Sequence, residues 1–142
     1  MPTINLDKKT VLSQLGKKLD DKKLAERISM FGTDLEDITK DEIHVEIFPN
    51  RPDLLSEQGF ARSFSSFIGS RKGLRQYHAK KSDYKMIIEE SVKEVRPYTA
   101  CAVVKKLKLD DEKIKQIIQM QEKLHVTFGR KRKKAAIGIY PL

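Results

Sequence analysis

Phe48-Pro49-Asn50-Arg51-Pro52-Asp53-Leu54-Leu55-Ser56 divides two different hydrophobic periods. Before it, Ile43, Val45 and Ile47 alternate with His44 and Glu46, the pattern of a half-buried strand over 42–48. After it, Phe60, Phe64, Phe67 and Ile68 recur at helical spacing behind Ser56, a natural N-cap, and Gly69 is a natural stop. Two prolines keep either element from running through. Inside the corner, Asn50 and Asp53 are suited to Asx-type bonds with nearby backbone amides, and Arg51 to tying the turn down. The alternative for Arg51 is contact with a phosphate or a partner's carboxylate. The structural role is preferred, because such side chains commonly close a strand-to-helix corner.

Working outward toward the N-terminus, Thr3 to Leu6 is a short β-leaning segment, and Asp7 caps a helix through Leu15 that stops at Gly16. Asp20 or Asp21 caps a second helix, with Leu24, Ile28 and Phe31 on one face and Gly32 at its end. Leu35 to Ile38 is a short strand. Residues 1–69 thus form a small α+β domain with its own core: Val11, Leu12, Leu24, Ile28, Ile43, Val45, Ile47, Phe60, Phe64 and Phe67.

Charge changes sharply after this domain. The chain has 142 residues and a net charge of +9, yet residues 1–69 hold ten Lys/Arg against twelve Asp/Glu, while 70–142 hold nineteen against eight. Such asymmetry suits an anionic partner for the second half, with a solvated lysine-rich surface as the alternative. Residues 70–82 have no periodicity, are basic through Arg71, Lys72, Arg75, Lys80 and Lys81, and are expected to be a linker. Residues 83–142 read as β-β-α-β: strands at 84–90 and 98–109, a helix capped by Asp110 and carrying Ile114, Ile117, Ile118 and Leu124, and a strand at 135–140. Between that helix and the last strand lies Arg130-Lys131-Arg132-Lys133-Lys134. Five adjacent cations repel one another unless solvated or paired with anions, and phosphate backbone contact is the chemistry they suit. Few aromatics surround them, which argues against sequence-specific reading of single strands.

Other chemistry is sparse. His44, His78 and His125 are far apart, no paired-cysteine or histidine spacing suggests a metal site, and no glycine-rich phosphate loop is present. The single Cys101 lies in an apolar run and is expected to be a buried, inert thiol. No nucleophile–base pair can be assembled, so no catalytic residue is assigned. No apolar run approaches the ~20 residues of a membrane span.

The FPNRPDLLS-type turn resembles that of the beta subunit of archaeal and eukaryotic phenylalanyl-tRNA synthetases. Two further blocks carry the same likeness: Met1-Pro2-Thr3-Ile4, and the run from Val95-Arg96-Pro97-Tyr98-Thr99 through Gln121 to Arg130 and on to Ala136-Ile137-Gly138-Ile139-Tyr140. The resemblance implies a cytoplasmic α2β2 heterotetramer with a synthetase alpha subunit and a second beta subunit, acting on tRNA(Phe). It places ATP and magnesium on the alpha subunit, and no cofactor in this stretch. It further implies that 83–142 begins an editing domain that removes misattached tyrosine, with most of its pocket beyond Leu142, bordered here by residues such as Gly138 and Tyr140. Editing is needed because an apolar pocket rejects an added hydroxyl only about 100-fold. On this reading the chain is the N-terminal part of a longer protein, with no complete active site of its own, and Arg130 to Lys134 contact tRNA. The competing readings are a free-standing RNA-binding module or truncated paralogue, and a free-standing editing hydrolase.

Overall fold

Every α-helix among the described residues starts at an oxygen-bearing side chain. In the computed structural model, which describes residues 2–78 and 80–141, Asp7 accepts from the Thr10 amide ahead of α1 (Lys8–Leu15), and Asp20 from the Lys23 amide ahead of α2 (Asp21–Met30). Ser56 and Asp110 accept from Gly59 and Lys113 ahead of α3 (Glu57–Phe67) and α4 (Asp111–Val126). Each bond satisfies one donor that the helix cannot use, contributing about 1 kcal/mol.

Three strands make one antiparallel sheet: β1 (Thr3–Asp7), β2 (Asp34–Ile38) and β3 (Glu42–Glu46), with β3 in the centre. The register sets Ile4 beside Val45 and Leu6 beside Ile43, and on the other side Leu35 beside Val45 and Ile38 beside Ile43. One sheet face is therefore apolar, and the alternation over 42–48 is what selects it. A bulge between Leu35 and Asp37 keeps that face in register. Helices α1, α2 and α3 cover it, burying Val11, Leu15, Leu24, Ile28, Phe60, Ala61 and Phe64 against Ile4, Leu6, Ile43, Val45 and Ile47. Phe31 completes the core from the end of α2, with its ring 5.7, 5.4 and 5.3 Å from those of Phe60, Phe64 and Phe67. Two expected core residues lie at the rim instead. Leu12 is only partly buried, and Phe67, in the last turn of α3, keeps 42% of its surface.

Two compact units divide at Gly73 and again at Asp110, so α4 and the residues after it group with the sheet rather than with Leu74–Leu109. Gln58 of α3 donates to Gln116 of α4 (2.9 Å), and Lys123 donates to the Thr3 carbonyl (2.9 Å). The α+β class stands, but the strands expected at 84–90, 98–109 and 135–140 are not formed. Residues 74–78 and 80–109 hold a single 3-10 turn, Glu90–Val92, followed by the Arg96 amide donating to the Val92 carbonyl. Cys101 is exposed there, not buried. The physical reason is that a strand's backbone needs a ladder partner and its apolar side a facing surface. Among the described residues this unit has neither, and Ile87, Val104 and Leu107 point into solvent.

Candidate functional site

The corner after β3 is fastened from within. Arg51 donates from Nε to one oxygen of Asp53 and from a terminal nitrogen to the other, both at 3.0 Å, in a two-pronged pair. Its guanidinium carbon also lies 5.3 Å from the centre of the Phe31 ring. The Ser63 hydroxyl donates to Asp53 as well (3.2 Å). The Arg51 bond holds the Asp53 carboxyl below the usual carboxylate range, and the same bond raises the Arg51 guanidinium above its already high value. Arg51 is thereby committed to Asp53 and Phe31. Asn50 is exposed on the outside of the turn.

Gly59 explains how tightly this corner closes. A Cβ at that position would lie 2.0 Å from the Asp53 carbonyl oxygen, so only glycine lets the first turn of α3 sit against the Pro52–Leu54 3-10 turn. Beside it Glu57 is buried, with one carboxylate oxygen 3.4 Å from the Asp7 amide. Neither residue stands out in the sequence.

The basic run forms a second tight turn at the end of α4. Arg130, Lys131 and Arg132 have φ of 49°, 54° and 65°, three consecutive left-handed residues without a glycine. They return the chain so that the Arg132 amide donates to the His125 carbonyl (3.1 Å) and the Lys134 amide to the Gly129 carbonyl (2.9 Å). Gly129 permits the return, since a Cβ there would lie 2.6 Å from the Ala135 carbonyl oxygen. The five cations are not equivalent. Arg132 is bonded to Glu122 and lies 3.0 Å from His125 Nδ1, and the Lys134 ammonium sits 4.2 Å from the centre of the Phe128 ring. Arg130, Lys131 and Lys133 are exposed and have no acidic partner among the described residues.

Between the two turns lies an apolar pocket of about 390 Å³, lined by Pro52, Asp53, Leu124, His125, Phe128 and Ile137 among others. Gly138 carries the Tyr140 ring folded back over it, and Tyr140 is 84% exposed. His125, with 3% of its surface exposed, was not distinguishable by sequence from any histidine at a helix end. No group of three or more His, Cys, Asp or Glu converges among the described residues. Nor is any helix there long and apolar enough to cross a membrane.

Comparison with known proteins first defines the class. Residues 1–70 match the family described as Phe-tRNA synthetase beta subunit B1 domain, a piece of an aminoacyl-tRNA synthetase. The full 142 residues are 38% identical to the phenylalanine–tRNA ligase beta subunit of Methanosphaera stadtmanae and 42% identical to that of Sulfurisphaera tokodaii, covering 25% and 26% of those proteins. The Archaeoglobus fulgidus beta subunit is 47% identical over 82% of this chain. The crystal structure of an N-terminal fragment of the phenylalanyl-tRNA synthetase beta subunit from Pyrococcus horikoshii superposes on 96% of the chain with a TM-score of 0.86 at 32% identity, covering 41% of that fragment. Residues 1–70 belong to the Phe-tRNA synthetase beta subunit B1 domain family, and the chain as a whole is similar to phenylalanine–tRNA ligase beta subunits. It spans about a quarter of the length of these curated relatives.

Proposed function

We propose that this chain is the N-terminal support of a phenylalanine–tRNA ligase, acting in subunit assembly and in the editing of tyrosyl-tRNA(Phe). What carries the reading is similarity along the whole chain to ligase beta subunits. In it, residues 1–69 are the assembly domain, 70–82 the linker, and 83–142 the start of the editing domain, with Gly138 and Tyr140 at the pocket's edge. The partners are an alpha subunit and a second beta subunit, in a cytoplasmic tetramer of two alpha and two beta chains. ATP and magnesium belong to the alpha subunit in this reading. The donor set here does not fit them, since no carboxylate cluster converges among the described residues and no phosphate loop occurs in the sequence.

The RNA contact of this reading falls to Arg130, Lys131 and Lys133, the three cations of the run with neither an acidic partner nor a ring contact among the described residues. Phosphate contact through them is sequence-tolerant and releases counterions, about 0.7–0.9 in log–log salt slope per neutralised phosphate. Retention of tRNA(Phe) by the purified chain should weaken with salt at a slope of about 2–3, and Lys131→Ala should flatten it by about one. Binding indifferent to salt, or a slope unchanged in the variant, overturns the RNA contact. Alpha-subunit association is read separately, by co-purification from cells expressing both chains.

A further inference from the structure

His125 is where α4, the basic turn and the segment after it meet. Its Nε2 lies 2.8 Å from the Ile137 amide nitrogen, and its Nδ1 lies 3.3 Å from Glu122 Oε1 and 3.0 Å from Arg132 Nε. A neutral imidazole has one N–H and one lone pair. The Ile137 amide donates to Nε2 and Arg132 Nε–H donates toward Nδ1, so both ring nitrogens face donors, and a neutral ring that holds Ile137 must keep its lone pair on Nε2. Nδ1 also lies beside Glu122 Oε1, which receives the Arg132 guanidinium. One carboxylate oxygen thus gathers the imidazole and the arginine, while the far side of the ring holds the next segment of backbone. Gln121 secures the same residue from the other direction, donating to the Ile137 carbonyl (2.6 Å).

We propose that His125 is a positioning residue that locks the Arg130–Lys134 turn to the 135–140 segment. Building on the phosphate reading above, it gives the three outward cations a fixed spacing without touching RNA. Losing the lock means ordering the loop on binding, which lowers affinity. It removes no phosphate contact, so the salt slope stays where it was. That separates His125 from the cations, whose loss flattens the slope.

The wild-type chain gives the first test, through ¹⁵N resonances of the imidazole. The lock requires Nε2 to accept from the Ile137 amide, and a ring protonated on Nε2 alone overturns it. Variants give the second. A glutamine amide oxygen reaches close to where Nε2 stood, and an asparagine amide close to Nδ1. His125→Gln should therefore keep the Ile137 amide slow to exchange with solvent, while His125→Asn should speed it about tenfold or more, the equivalent of about 1.4 kcal/mol. Equal exchange in the two variants overturns the proposal. In tRNA binding, His125→Asn should weaken affinity at an unchanged salt slope, and a slope lower by one unit overturns positioning in favour of a direct contact. If the wild type shows no salt-dependent binding, the RNA reading fails by itself, and the ring tautomer and Ile137 exchange decide the lock.

Discussion

The β3 strand and the run from Ala100 to Leu109 carry comparable amounts of apolar, strand-compatible sequence, yet one is ordered by its neighbours and the other is not. In β3, Ile43 and Val45 have no exposed surface, with β1 and β2 on either side and three helices above. In the second unit, Val104 keeps 65% of its surface and Leu107 58%, with no ladder among the described residues. Strand propensity describes a fit to a pleated, half-buried surface, and it has no force until that surface exists. The contrast shows that the decisive information in β3 lies in the helices that cover it.

The sharpest way to break this contrast is to remove a ring from the covering helices. Phe64→Ala should cost about 3–5 kcal/mol, measured by chemical denaturation, because Phe64 is fully buried and touches Phe31, Phe60 and Phe67. That is a large part of the 5–15 kcal/mol typical of a domain. A cost below 1 kcal/mol would mean that the phenylalanine cluster does not hold the sheet.

Next in size is Gly59→Ala, where the added Cβ meets the Asp53 carbonyl at 2.0 Å. The corner must open, at about 1–3 kcal/mol. An unchanged denaturation midpoint would show that the corner yields freely.

Acid tests the same corner more gently. The Asp53 pKa is depressed, so its contribution to stability is present above the ordinary carboxylate value of about 3.9 and is lost as pH falls through the lower folded value. The pair is about one-third exposed, which limits it to about 0.2–1 kcal/mol. Asp53→Asn should be less stable than wild type at pH 7, with the gap closing as pH falls from 5 toward 2. A gap constant with pH would detach the effect from ionisation.

Smallest of all should be Val104→Ala. Its side chain faces solvent, and the change in stability of this chain should stay within about 0.5 kcal/mol. A cost comparable to that of Phe64→Ala would place Val104 in a packed interior and erase the distinction between the two regions.

What the sequence made legible was local. Asp7, Asp20, Ser56 and Asp110 cap the helices because the bond spans only three residues, and the alternation of Ile43, Val45 and Ile47 marks a single face. The Arg51–Asp53 pair was within reach for the same reason, two residues apart. Requirements that arise between distant segments were not legible. Gly59 looks like any helix glycine until Asp53 is brought against it, and His125 looks like a surface histidine until Ile137 folds over it. The strands expected over 84–90 and 98–109 failed on the same ground, since a pattern of side chains does not name the partner it needs.

The left-handed turn at Arg130, Lys131 and Arg132 has a consequence for sequence choice. Glycine adopts this backbone freely, whereas a left-handed residue with a side chain costs roughly 1–2 kcal/mol. All three positions nevertheless carry a cation. Backbone comfort and positive charge pull the composition of this loop in opposite directions. A designer seeking to relieve backbone strain would write glycine at Lys131. The natural sequence sets a charged side chain there, so folding free energy is given up to keep positive charge at the turn.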